Sequence, residues 1–279
     1  MRYPLAFVLL LSIGIPSARA EELPINELMH IHGISFDGGT GELFIATHQG
    51  LYRTSDPGMV TAVSTDRNDY MGFSADPSDT ERLVASGHPS VGGSLGVIQS
   101  TDGGQTWLAL ADGVDGPVDF HALAISRADP LVLYGLFGGI QQSRDGGKTW
   151  AMIGAGPPDV LDLAASAGDP DTLYAGTIAG LMRSVDSAKT WAAAGPAGIP
   201  VTLVETTPDG SLYAFFHGVG LFHLSLDGVW TERASNFGDR YLAHLTADPS
   251  NPQHLVAVDN QSAVLESVDG GSTWSGFEQ

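Results

Sequence analysis

One turn-forming string returns along the chain at nearly constant spacing. It reads "STDGGQTW" at 100–107, "SRDGGKTW" at 143–150, "SVDSAKTW" at 184–191 and "SVDGGSTW" at 267–274. "SLDGVW" at 225–230 is a shortened copy and "TSDPG" at 54–58 a worn one. From Asp56 through Asp102, Asp145, Asp186 and Asp227 to Asp269 the steps are 46, 43, 41, 41 and 42 residues. A short unit repeated in this way buries its apolar faces only against its own copies. Each copy follows short runs such as "LFIATH", "LVLYGLF" or "SLYAFFH", a glycine-containing turn, and then "LYRTS", "GIQQS" or "GLFHLS". These are strands rich in β-formers, bounded by turn residues, with no long 3.6-residue periodicity beside them. Four antiparallel strands per unit and six units predict an all-β, six-bladed β-propeller. A solenoid fits units of this size less well.

Residues 1–20 are read apart from the fold. A basic start, the apolar run "PLAFVLLLSIGI" and the small-x-small stretch Ala18-Arg19-Ala20 predict a cleaved signal peptide. An uncleaved anchor helix is the alternative, but the run is short for a membrane span. The expected mature domain is 21–279, periplasmic or secreted, with no membrane attachment after cleavage. The whole chain carries a net charge of −20, so nucleic acid is a poor partner. It has no cysteine, which excludes thiolate metal sites and a cysteine nucleophile.

The string Ser/Thr-x-Asp-x-Gly-x-Thr-Trp resembles the Asp-box, or bacterial neuraminidase repeat. More narrowly, "HIHGISFD", "ATHQGLYR", "SGHP" and "DFHALAIS" resemble exported bacterial glycosyl-hydrolase-like Asp-box proteins. The resemblance implies a propeller with its Asp-boxes on the rim opposite the functional face. It therefore assigns structural roles to Asp102, Asp145, Asp186 and Asp269 and to Trp107, Trp150, Trp191 and Trp274.

The histidines are the second constraint. Three of the nine, His30, His32 and His48, fall in one stretch of 25 residues. Counting five residues from the leucine that opens each second strand gives the row His48, His88, Gly138, Ile178, His217, Asn260. The start of each inner strand gives His32, Met71, His121, Leu161, Val201, Ala243. Two residues earlier come His30, Asp69, Asp119, Asp159, Ile199, Tyr241. In a propeller these rows share one channel mouth, with the more apolar wall at Leu161, Ile178 and Val201. Converging imidazoles predict a transition-metal site built from His30, His32, His48, His88, His121, His217 and Met71. A thioether favours copper over zinc or iron, and the absence of cysteine leans away from structural zinc. Asp69, Asp119 and Asp159 are candidate ligands, outer hydrogen-bond partners or acid/base carboxylates. Arg67, Arg240 and His244 are candidates for binding a ligand at the mouth; His244 is one residue out of phase. His223 and His254 are read as structural. The long turn "SGHPSVGGSLGV" (86–97) is a candidate flap.

These readings leave metal handling or metal-dependent chemistry as the first function. Glycoside hydrolysis is the alternative, through a pair among Asp69, Asp119 and Asp159. A sialidase-like site needs an arginine triad, and past residue 20 only eight arginines and two lysines remain. An assembly scaffold with a protein partner is the third. Whether the protein is an enzyme is left open.

Overall fold

The structure, a computed structural model, describes residues 22–277; the expected signal segment lies outside the described residues. Six antiparallel sheets form six blades. Their inner strands are Ile31–Phe36, Asp69–Asp76, Leu123–Ile125, Val160–Ala165, Val201–Thr206 and Leu242–Asp248. Each of these packs against the next, and the first packs against the last, closing a ring. Every blade then runs outward through hairpins to an outer strand. The second strands are buried along most of their length, as at Leu43–Thr47, because neighbouring blades cover both faces. This explains their unbroken apolar runs, where a half-exposed strand would alternate.

Blade one differs from the expected four strands. Glu22–Pro24 adds a fifth along its outer edge, pairing with Met59–Ala62. The last blade ends on the two-residue strand Ser275–Gly276. The ring is joined by packing instead of a shared blade: Ile25 and Leu28 from one end and Phe277 from the other enter one core with Ile31, Val256 and Val258. Phe277→Ala should therefore cost about 3 kcal/mol, read as a lower urea midpoint with an unchanged slope.

The recurring aspartates tie their turns by one pattern. Asp102 accepts the Thr106 amide at 2.9 Å and the Thr106 hydroxyl at 2.6 Å, and the Gly104 amide donates to Ser100 Oγ at 2.8 Å. Asp145, Asp186 and Asp269 repeat it with Thr149, Thr190 and Thr273. The indoles of Trp150, Trp191 and Trp274 donate to carbonyls three residues back, while Trp107 Nε1 is buried without a partner. Chiefly through their threonine bonds, Asp145, Asp186 and Asp269 are held down at about 2. A carboxylate with a depressed folded pKa stabilises above its unfolded value, and that contribution is lost as pH falls towards the folded one. Thermal stability should thus decline from about pH 4 towards pH 2. Asn replacements at these three positions should flatten the decline in a melting series.

Candidate metal centre

The inner strands share an irregularity that sets up the site. In five blades the register slips by one residue near the start of the inner strand, leaving one residue without a partner. These residues are His32, Met71, Leu161, Thr202 and Ala243. A bulge of this kind re-aims a side chain out of the ordinary alternation. His32, Met71, Leu161 and Ala243 accordingly line the central channel, together with His121 of blade three. Val201, the residue expected in blade five, is instead fully buried in the core, and Thr202 holds the bulge.

In four blades the turn after the second strand is hydrogen-bonded to the entrance of its own inner strand. The amides of His48, Ile178, His217 and Asn260 donate to the carbonyls of His30, Asp159, Pro200 and Tyr241. His30 and Asp159 share a φ of 54°, a left-handed conformation that His and Asp tolerate better than most residues. The side chain of the same turn reaches the entrance of the following blade. His48 Nδ1 lies 2.6 Å from Asp69, His88 Nε2 lies 2.9 Å from Asp119, and the His217 ring sits 5.3 Å from that of Tyr241. Ser262 of blade six accepts the His30 amide at 3.1 Å.

Two clusters result. In the first, His30 and His32 meet the His48 ring edge-on at centroid distances of 4.8 and 4.4 Å. His32, His48 and Asp69 each offer a ligand atom, all within 4.8 Å of one another. His32 Nε2 and Asp69 Oδ1 stand 3.6 Å apart, both buried and both without a hydrogen-bond partner. That separation is long for a hydrogen bond. Two ligand atoms each about 2.0–2.2 Å from one tetrahedral ion lie roughly 3.4 Å apart. Burial first, then the neighbouring His48, pushes His32 down to about 4. Its imidazole is therefore neutral at pH 7, the form that ligates metals. The carboxylate of Asp69 is shared by His48 and His32, as an ion-binding carboxylate or an outer partner would be.

In the second cluster, His88 and His121 approach Asp119 Oδ2 at 2.9 and 3.3 Å. His88 Nδ1 also meets the Gly93 carbonyl at 2.8 Å. That carbonyl, with Asp119 and Asp69, raises the His88 pKa against its desolvation. The long turn folds back on itself, with the Leu95 amide donating to Gly87, and presents Val91 to solvent.

Other expected participants are placed elsewhere. His217 packs on Tyr241 and is not part of the ligand group of His32, His48 and Asp69. Arg67 donates to the carbonyls of Ser64 and Asp66, and Arg240 to buried Asp259, which occupies the guanidiniums expected to meet an anion. His244 lines the channel, meets the backbone of Ile31 and is lowered to about 4 by burial. His254 bridges Asp248 and Glu266 on strands of blade six, and His223 packs at a tilt against Tyr213. The channel, about 150 Å³, holds polar groups that the repeat rows did not reveal. Burial raises Asp162 to about 8 and Glu205 to about 7, the latter opposed by Arg127 at 3.6 Å. Their signal was a charge interrupting an apolar inner strand, as in "VLDLAA" and "VTLVET".

No family model matches the chain, and no curated protein matches it. Solved structures do. A GH74 enzyme from Niastella koreensis aligns over 90% of this chain and 46% of its own, at 19% identity and TM-score 0.65. A gluconolactonase from Xanthomonas campestris aligns over 90% of both chains, at 15% identity and TM-score 0.64. YCF48 bound to a D1 peptide aligns over 94% of this chain and 85% of its own, at 18% identity and TM-score 0.56. The chain thus spans about half the length of the GH74 enzyme. At these identities the likeness is one of fold, the β-propeller.

Proposed function

We propose that this propeller is an exported protein that holds a transition-metal ion at the mouth of its channel, in metal handling or metal-dependent chemistry. The ligands are His32, His48 and Asp69, with His30 beside them. The observation that carries the reading is the pair His32 Nε2 and Asp69 Oδ1, buried, unpartnered and 3.6 Å apart. Unpaired buried polar atoms are costly, and a cation between them satisfies both. Two imidazoles and one carboxylate suit copper(II), zinc or iron(II), and copper(II) binds such sets most tightly. The His48 side chain is 42% exposed, so the site opens to solvent on one side. Three protein ligands with an open side leave a coordination position for water or a small ligand. The net charge of −20 favours arrival of a cation.

The test is metal analysis of the untagged protein after loading with copper(II) or zinc(II) and gel filtration. The reading expects at least one ion retained per chain and one fewer retained by His32→Ala with His48→Ala. Retention of less than about a tenth of an ion per chain by the native protein, or full retention by the double variant, would refute it. Cleavage of a fluorogenic glycoside by metal-free protein would support glycoside hydrolysis in its place.

A further inference from the structure

Asp119 is more enclosed than Asp69, with a side chain 8% exposed against 15%. Its Oδ1 is buried and has no hydrogen-bond partner. Its Oδ2 faces two imidazole nitrogens, His88 Nε2 at 2.9 Å and His121 Nε2 at 3.3 Å. The orientation of His88 sharpens the case. Its Nδ1 lies 2.8 Å from the Gly93 carbonyl, which can only accept, so Nδ1 carries a proton. In the neutral ring, Nε2 then holds a lone pair, and that lone pair points at a carboxylate. Two acceptors at hydrogen-bond distance repel unless a proton or a metal ion lies between them; a proton there leaves Asp119 Oδ1 unpartnered, and an ion held by the carboxylate does not. A carbonyl fixing the far nitrogen of a ring in this way is what commonly orients a metal-ligating histidine.

We propose that His88, Asp119 and His121 form a second metal site beside the first, so that the mouth takes up two divalent transition-metal ions. The proposal rests on the reading of His32, His48 and Asp69 as a metal centre, and it deepens it. Both sites share a turn histidine of one blade that meets the entrance aspartate of the next; the third residue, at or near the head of an inner strand, comes from the histidine's blade in the first site (His32) and from the aspartate's blade in the second (His121). His48, Asp69 and His32 lie between blades one and two; His88, Asp119 and His121 lie between blades two and three. His121 is 63% exposed, free to turn its ring onto an ion held by the other two. Gly138 and Ile178 continue the turn row in blades three and four and offer no ligand side chain, so the series ends there.

The experiment is a zinc(II) titration of the untagged protein from residue 21 onward, followed by calorimetry and by metal analysis after gel filtration. The native protein should retain two zinc ions per chain. His88→Ala with His121→Ala should retain one, and so should His48→Ala with Asp69→Asn. His88→Gln, which keeps bulk and polarity, serves if the double variant melts early. One zinc in the native protein, lost only with His48 and Asp69, overturns the second site and leaves the first intact. One zinc, lost only with His88 and His121, upholds this site and overturns the first. No retained zinc, or retention indifferent to all four residues, overturns both.

Discussion

Gly87→Ala should abolish metal retention at His32, His48 and Asp69 and cost the fold at least about 4 kcal/mol, well beyond an ordinary surface substitution. Gly87 lies at φ +146°, a conformation that side chains rarely adopt, directly opposite Tyr70 in the hairpin of blade two. A Cβ there would stand 2.0 Å from the Asp69 carbonyl oxygen and 2.9 Å from the Met71 amide nitrogen. Both neighbours are backbone, so no side chain can swing aside. Relief requires parting the inner strand of blade two from its partner at the bulge that presents Met71. The same movement carries Asp69 away from His48 and His32. The expected result is a large fall in melting temperature and no ion held by His32, His48 and Asp69 at any temperature where the protein stays folded. A variant that melts within a few degrees of the native protein and still retains its ion would show that the bulge does not position the site.

Asp69→Asn should separate metal from fold. The amide oxygen can still accept the Nδ1–H of His48, and Asp69 Oδ1 has no hydrogen bond to lose. Stability should change by no more than about 1 kcal/mol. Metal affinity should fall at least 100-fold, roughly the upper end of effects for groups that merely support a ligand. Calorimetric titration with zinc or copper measures the affinity and circular dichroism the fold. Binding reduced only a few-fold would make Asp69 an outer partner of the histidines and leave the carboxylate out of the ligand set.

The architecture was legible because one turn string recurs every 42 residues or so, with the same two apolar runs before it. Each copy must pack on its neighbours, and four strands per copy leave little choice of fold. What escaped was local. The fifth strand of blade one is only the three residues "ELP", which carry no strand periodicity of their own. The channel rows followed from counting back to a leucine, and in blade five the count slips. There Pro200 and Thr202 hold the places expected for Ile199 and Val201. The bulges left no mark in the pattern, since one unpaired residue per inner strand does not disturb the apolar runs around it.

Within the site, residue identity was more legible than partnership. His48 and Asp69 were both in view as mouth residues, yet they come from different blades. Reading each turn against the next blade's entrance would have paired His48 with Asp69 and His88 with Asp119. It would also have set His217 against Tyr241, whose ring packs on it at a tilt. Arg67 and Arg240 were placed by position alone. Position does not reveal that the carbonyls of Ser64 and Asp66, and the Asp259 carboxylate, already hold them.

The most direct measurement is anomalous diffraction from crystals of the untagged protein grown with copper(II) or zinc(II), recorded at that metal's absorption edge. The account predicts a peak at bonding distance from His32 Nε2 and from Asp69 Oδ1, bridging the 3.6 Å that separates them. A mouth without a peak in metal-loaded crystals, or peaks only at surface carboxylates on the opposite rim, would contradict it.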